Sequence, residues 1–146
     1  MRAFLSALAW AIVSTSACGQ SNGPIICLEY HEFLGGMASV LIDIEKNGER
    51  LEFDLVHSSG TGASRHRGIL APDIFAKIAD GLLQIEGIAA YRVTEKQAGR
   101  YREKKFRVRL TTQTKDGPRS EILLIPFDNA PPAFSAWVRL LRDAVK

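Results

Sequence analysis

His31-Glu32 opens like the zinc-protease motif His-Glu-x-x-His, in which two imidazoles one helical turn apart hold the metal and the glutamate activates water. The fifth residue here is Gly35, so the motif is absent. The other two histidines, His57 and His66, stand at no ligand spacing, and no metal or cofactor is expected. The run from His57 to Gly68 places glycines, hydroxyls, Arg65 and Arg67 ahead of a helix, which superficially suits a phosphate cradle. It lacks a Gly-Lys-Ser/Thr ending, a dinucleotide glycine spacing and a Gly-x-Ser-x-Gly elbow. It reads instead as a mobile hairpin-to-helix connection, the functional alternative being an anion or partner contact through Arg65 and Arg67. Ser, His and Asp occur without any spacing that proposes a triad, so the chain is expected to be non-catalytic.

Charge offers a different chemistry. Between Arg92 and Arg109 lie eight basic residues against Glu95 and Glu103 alone. Such a stretch attracts an acidic protein surface or anionic lipid, with an affinity that falls as salt rises. Arg107 and Arg109 are the candidate contacts. An apolar alternative is the bend Phe33-Leu34-Gly35-Gly36-Met37, which joins greasy side chains to a backbone free to approach a cleft closely.

The amino terminus says where this would happen. Met1-Arg2 precedes an uncharged apolar run, Ala3 to Val13, and then Ser14, Thr15, Ser16 and Ala17, the layout of a signal peptide over 1–17. As a helix the run would be roughly 20 Å long, short of the ~30 Å hydrocarbon layer. Thr15-Ser16-Ala17-Cys18 resembles a bacterial lipobox, whose cysteine receives a diacylglycerol, so Cys18 is the candidate lipid anchor. Without lipid, Cys18 and Cys27 are free to close a small disulfide in an oxidising compartment. Export to the periplasm, or residence as an outer-membrane lipoprotein, makes nucleic acid a poor match despite the net charge of +3.

Removing the leader leaves about 129 residues, enough for one domain at 25–146 behind a linker at 18–24, with a core that needs neither metal nor disulfide. Ile25 to Phe33 reads as a strand. Val40 to Val56 reads as a hairpin turning at Asn47-Gly48, with Ile44 opposite Leu51, Ile42 opposite Phe53 and Val40 opposite Leu55. A second hairpin turns at Asp116-Gly117, with Phe106, Val108 and Leu110 opposite Phe127, Ile125 and Leu123. Apolar spacings of three and four predict helices from Pro72 to about Ile85 and from Pro131 to Val145. The span from Gly87 to Lys105 predicts a short strand at Ile88 to Val93 and then a charged loop. The expected architecture is α+β: an antiparallel sheet of four to five strands in the order β-β-β-α-β-β-α, with both amphipathic helices on one face.

An opening strand running into Gly35-Gly36-Met37, a glycine turn at Gly48, Leu70-Ala71-Pro72 at a helix start, a second hairpin from Phe106 to Phe127, and Asn129-Ala130-Pro131-Pro132 before an apolar last helix together resemble the emfourin-like family. These are small proteins named for an inhibitor of thermolysin-type metalloproteases, and the likeness covers about residues 25 to 145. The export signal and the basic second half depart from it. The resemblance implies an antiparallel sheet with packed helices and a non-catalytic role in binding a protease; it carries over no inhibitory residue. A protease inhibitor of the cell envelope is therefore the expected function. The alternatives are an immunity protein, whose Arg107 and Arg109 face docks an acidic toxin, and a structural envelope lipoprotein.

Overall fold

The structure is a computed structural model and describes residues 24–99 and 104–146. The leader 1–17, Cys18, the linker up to residue 23, and Arg100 and Arg102 of the basic stretch lie outside the described residues.

Among the described residues seven strands form one antiparallel sheet in the order β4-β3-β2-β1-β6-β7-β5. They are β1 (Ile25–Gly35), β2 (Ala38–Asn47), β3 (Arg50–Ser59), β4 (Gly62–Leu70), β5 (Arg92–Val93), β6 (Lys105–Thr114) and β7 (Gly117–Pro126). Three α-helices accompany them: α1 (Pro72–Leu83), α2 (Glu95–Ala98) and α3 (Pro132–Ala144). This corrects the expected sheet of four to five strands with two helices on one face.

The extra strand β4 is the run that reads, by composition, as a flexible connection. It pairs with β3 without interruption from Leu51 opposite Leu70 to Ser59 opposite Gly62. Gly60 and Thr61 make the turn, closed by the Ser59 hydroxyl, which donates to the Gly62 carbonyl at 3.2 Å. A strand at the rim of a sheet with one solvated face needs few apolar residues, which is why its composition resembles a loop. Gly68 leaves room for the Phe53 ring, whose carbons would lie 2.6 Å from any Cβ placed there.

The third helix is equally informative. The segment expected as a strand at Ile88 to Val93 is a 3-10 turn at Ile88–Tyr91 followed by only two strand residues. Thr94 and Gln97 then form a reciprocal capping box that starts α2. Glu95 of α2 reaches Arg109, which faces away from buried Val108 and Leu110, so α2 lies on the sheet face opposite to the main core. Four consecutive β7 residues, Ile122 to Ile125, are consequently buried, against the alternation of a one-sided strand.

Both long hairpins differ in register from the sequence reading by two residues. Asn47 pairs with Arg50, so Ile44 meets Phe53 and Ile42 meets Leu55. Only the first central residue, Gly48, has positive φ, at +63°, as in a type II′ turn. In the second hairpin Thr114 pairs with Gly117, and Val108 meets Leu123. A shift of two preserves which face each side chain occupies, so the inner and outer sets are unchanged.

The inner face carries Leu28, Tyr30, Ile42, Ile44, Val108 and Ile125, all fully buried, in one cluster with Phe75, Ile78 and Leu82 of α1 and Phe134, Trp137 and Leu141 of α3. The Trp137 indole N–H donates to the Ile78 carbonyl at 2.7 Å, tying α3 to α1. One charged group enters this core. Glu32 accepts the Tyr30 hydroxyl proton at 2.9 Å and pairs with Arg142 in the last turn of α3. Burial, then the Glu32 carboxylate, keeps the Tyr30 phenol protonated far into the alkaline range. Burial opposes the charge of Arg142, and Glu32 outweighs it, raising the pKa of the guanidinium.

Candidate functional site

The outer face of the sheet is built in rows, because cross-strand partners in an antiparallel sheet present their side chains on the same side. One row runs Arg67, Asp54, Asp43, Glu29, Arg109 across β4, β3, β2, β1 and β6. The next runs Arg65, Val56, Leu41, His31, Arg107. Beyond it Phe33 pairs with Ser39 on one side and Lys105 on the other.

Phe33 thus begins a small apolar corner. Its ring lies 3.8 Å from the His31 ring, centroid to centroid, and the Arg107 guanidinium carbon sits 5.9 Å from its centroid. Burial, and then Arg107, lower the pKa of His31, and its Nδ1 is buried without a hydrogen-bond partner. Both effects favour the neutral ring, which packs against Phe33. Past Phe33 the β1–β2 hairpin turns through Gly35 and Gly36, with φ of +94° and +60°, values that side-chain-bearing residues rarely adopt. The turn leaves Leu34 47% and Met37 79% exposed. A shallow hollow of about 180 Å³ beside it is lined by His31, Phe33, Gly35, Gly36, Met37, Ala38 and Ser39.

The structure brings Phe33 and Arg107 together, leaves Leu34 and Met37 in solvent at the hairpin tip, and places Arg109 elsewhere. Arg109 contacts Glu29 at 3.0 Å and Glu95 at 3.1 Å, and Arg92 contacts Glu121 at 3.4 Å. The basic stretch is thus less basic in space than along the chain. Leu41 and Val56, half-exposed behind the tip, and His31 were not recognised as its neighbours; strand order, not local spacing, puts them there.

The acidic part of the outer face surrounds an open depression of about 710 Å³ bordered by Asp43, Glu45, Glu52, Asp54 and Arg67. Asp54 is held below the usual carboxylate range by its Arg65 hydrogen bonds. Asp43 goes the other way: burial first, then Glu29, Asp54 and Glu45, push its pKa up. A carboxyl with a higher pKa folded than unfolded favours the fold while protonated; that contribution is present below the unfolded pKa and is lost as pH rises through the folded one. Asp43→Asn is expected to raise stability at pH 7 by about 0.5 kcal/mol, the size of a like-charge cross-strand contact. Thermal melts at pH 7 and about pH 2.5 check this, the gain vanishing at the lower value, which lies below the ordinary aspartate range. An equal gain at both would show that charge is not the cause.

Cys27, half-buried on the same face, has its thiol pushed up to about 11, by burial first and then by Glu29, Glu45 and Asp43. Its alkylation at pH 8 is expected to be roughly a hundredfold slower in the native chain than in the denatured one, measured by mass spectrometry of the Cys27 peptide. Comparable rates would contradict the burial.

Among the described residues no group of three or more His, Cys, Asp and Glu side chains is arranged to hold a metal ion, and no helix is long and apolar enough to cross a membrane. The geometry offers surfaces for contact: an exposed apolar tip, a half-exposed strip behind it, and a banded field of charge. No protein-family model, curated protein or solved structure matches the chain.

Proposed function

We propose that the chain is an exported, non-catalytic protein-binding module that inhibits a protease, most simply a metalloprotease of the thermolysin type, through the β1–β2 hairpin tip. The observation that supports this reading is the tip itself. Leu34 and Met37 are apolar and exposed, on a glycine turn propped from behind by the Phe33–His31 pair. An apolar anchor on a ribbon built into a sheet loses little conformational freedom on binding, which is the economy of a preorganised inhibitor loop. The resemblance to emfourin-like proteins points to the same partner class.

Steady-state assays of a thermolysin-type metalloprotease and a serine protease with increasing amounts of the chain test the proposal, together with recovery of partners from a periplasmic extract. Inhibition of the first enzyme and not the second is the expected result. Inhibition of neither, with recovery of a toxin whose lethality the chain suppresses, would replace the proposal with the immunity reading; recovery of envelope components alone would favour a structural lipoprotein. The immunity reading loses part of its basis in Arg109, whose charge is already met by Glu29 and Glu95.

A further inference from the structure

The two rims of the sheet are unlike. On one side β5 is only two residues long, too short to template another strand. On the other, β4 runs for nine residues, its side chains exposed from Gly62 to Arg67, and its ladder to β3 has no bulge. Among the described residues no strand pairs with its outer edge. Of the devices that blunt such an edge, β4 lacks proline, a bulge and extreme shortness and has charged side chains alone. What it carries is positive charge. Arg65 and Arg67 point to the outer face with 55% and 65% of their side chains exposed, and both turn to the one carboxylate of Asp54. Two guanidiniums share that carboxylate along the rim itself, while Glu52, Asp43 and Glu45 lie further in on the same face. Ile69 follows on the same face, also largely exposed.

We propose that the free edge of β4 is a strand-addition site for an extended acidic segment of a protein partner. An incoming strand hydrogen-bonds to the β4 backbone, which supplies affinity without sequence preference; residues opposite Arg65 and Arg67 then select acids two positions apart. The residue opposite Ile69, two further along, is apolar. A second copy of this chain fits poorly: antiparallel pairing about His66 sets Arg65 of one copy against Arg67 of the other, like charges face to face. Two strands, β3 and β2, separate β4 from β1, and the site stands or falls independently of the hairpin tip.

The test is a fluorescence-anisotropy titration of the full chain with a labelled nine-residue peptide in which two glutamates two positions apart are followed, two further on, by a leucine, with threonines between them, backed by amide chemical-shift mapping. Saturable binding is expected, with shifts concentrated at residues 62–70. Replacing the peptide's glutamates by lysines should abolish it. N-methylating the amides on one edge of the peptide should do the same, and methylating the other edge should have little effect. Arg65→Gln with Arg67→Gln should weaken binding about tenfold, and Met37→Asp should leave it unchanged. Equal affinity for the lysine peptide, shifts centred elsewhere, or no binding at millimolar peptide would overturn the proposal. So would concentration-dependent dimerisation through β4 in sedimentation runs. The peptide substitutions leave the protein untouched, so a folding defect in the arginine variants does not obscure the outcome.

Discussion

Replacing Phe134 by alanine is expected to cost about 3–5 kcal/mol of stability, and to lower the melting temperature by roughly 12–20 °C. Phe134 is fully buried where α3 crosses the sheet, stacked at 5.4 Å on Trp137 and set 5.1 Å from the Phe106 ring. Tyr30 sits 6.1 Å from both Phe106 and Trp137, so the cavity would open in the middle of an aromatic group. These rings are held from several sides by the Trp137 indole bond to α1 and by the Glu32–Arg142 pair, which limits collapse into the vacated volume. Leu140→Ala, on the exposed side of the same helix, should stay within about 0.5 kcal/mol of the parent. Denaturation followed by circular dichroism compares the two. Equal losses would mean that α3 does not present its Phe134–Trp137–Leu141 stripe to the sheet.

The second large effect concerns binding. With a protease target in hand, Leu34→Asp combined with Met37→Asp should weaken inhibition by at least about a hundredfold while leaving the melting temperature unchanged, because both side chains are exposed and lie outside the buried core. Arg107→Gln should have a smaller effect, about tenfold, through loss of the cation that lies over Phe33. Arg109→Gln should matter less again, since its guanidinium already serves Glu29 and Glu95. Inhibition constants for the three variants establish the order. An inhibitor that tolerates two aspartates at the tip does not use the tip.

The two long helices, α1 and α3, were legible because each buries one stripe. Phe75, Ile78 and Leu82, like Phe134, Trp137 and Leu141, recur at the helical period, and a proline marks the start of both. The hairpins were legible in parity and not in register. A glycine identifies a turn, but whether it occupies the first central position, as Gly48 does, or the position after the central pair, as Gly117 does, is a backbone matter that composition leaves open. Two features needed the third dimension. The strand β4 is polar because it lies at a rim, and α2 covers the outer face because β7 offers Ile122 and Leu124 there. The tip was legible from its paired glycines. The company it keeps was not: His31 and Arg107 lie seventy-six positions apart in numbering and become neighbours only through the β1–β6 pairing. The same non-locality neutralises Arg109, whose carboxylates come from strand β1 and helix α2.

Placing β1 at the centre of the sheet affects how the chain is made. The first strand to leave the ribosome gains its β2 partner almost at once, but its other flank waits for β6, since Leu28 pairs with Leu110 and Tyr30 with Val108. Until then a nascent half-sheet with an open apolar side must be shielded from its neighbours. Closure across so long a stretch of chain makes acquisition of the native state slow relative to helix formation. A truncation that stops before residue 105 should accordingly yield an aggregating ribbon and not a smaller domain.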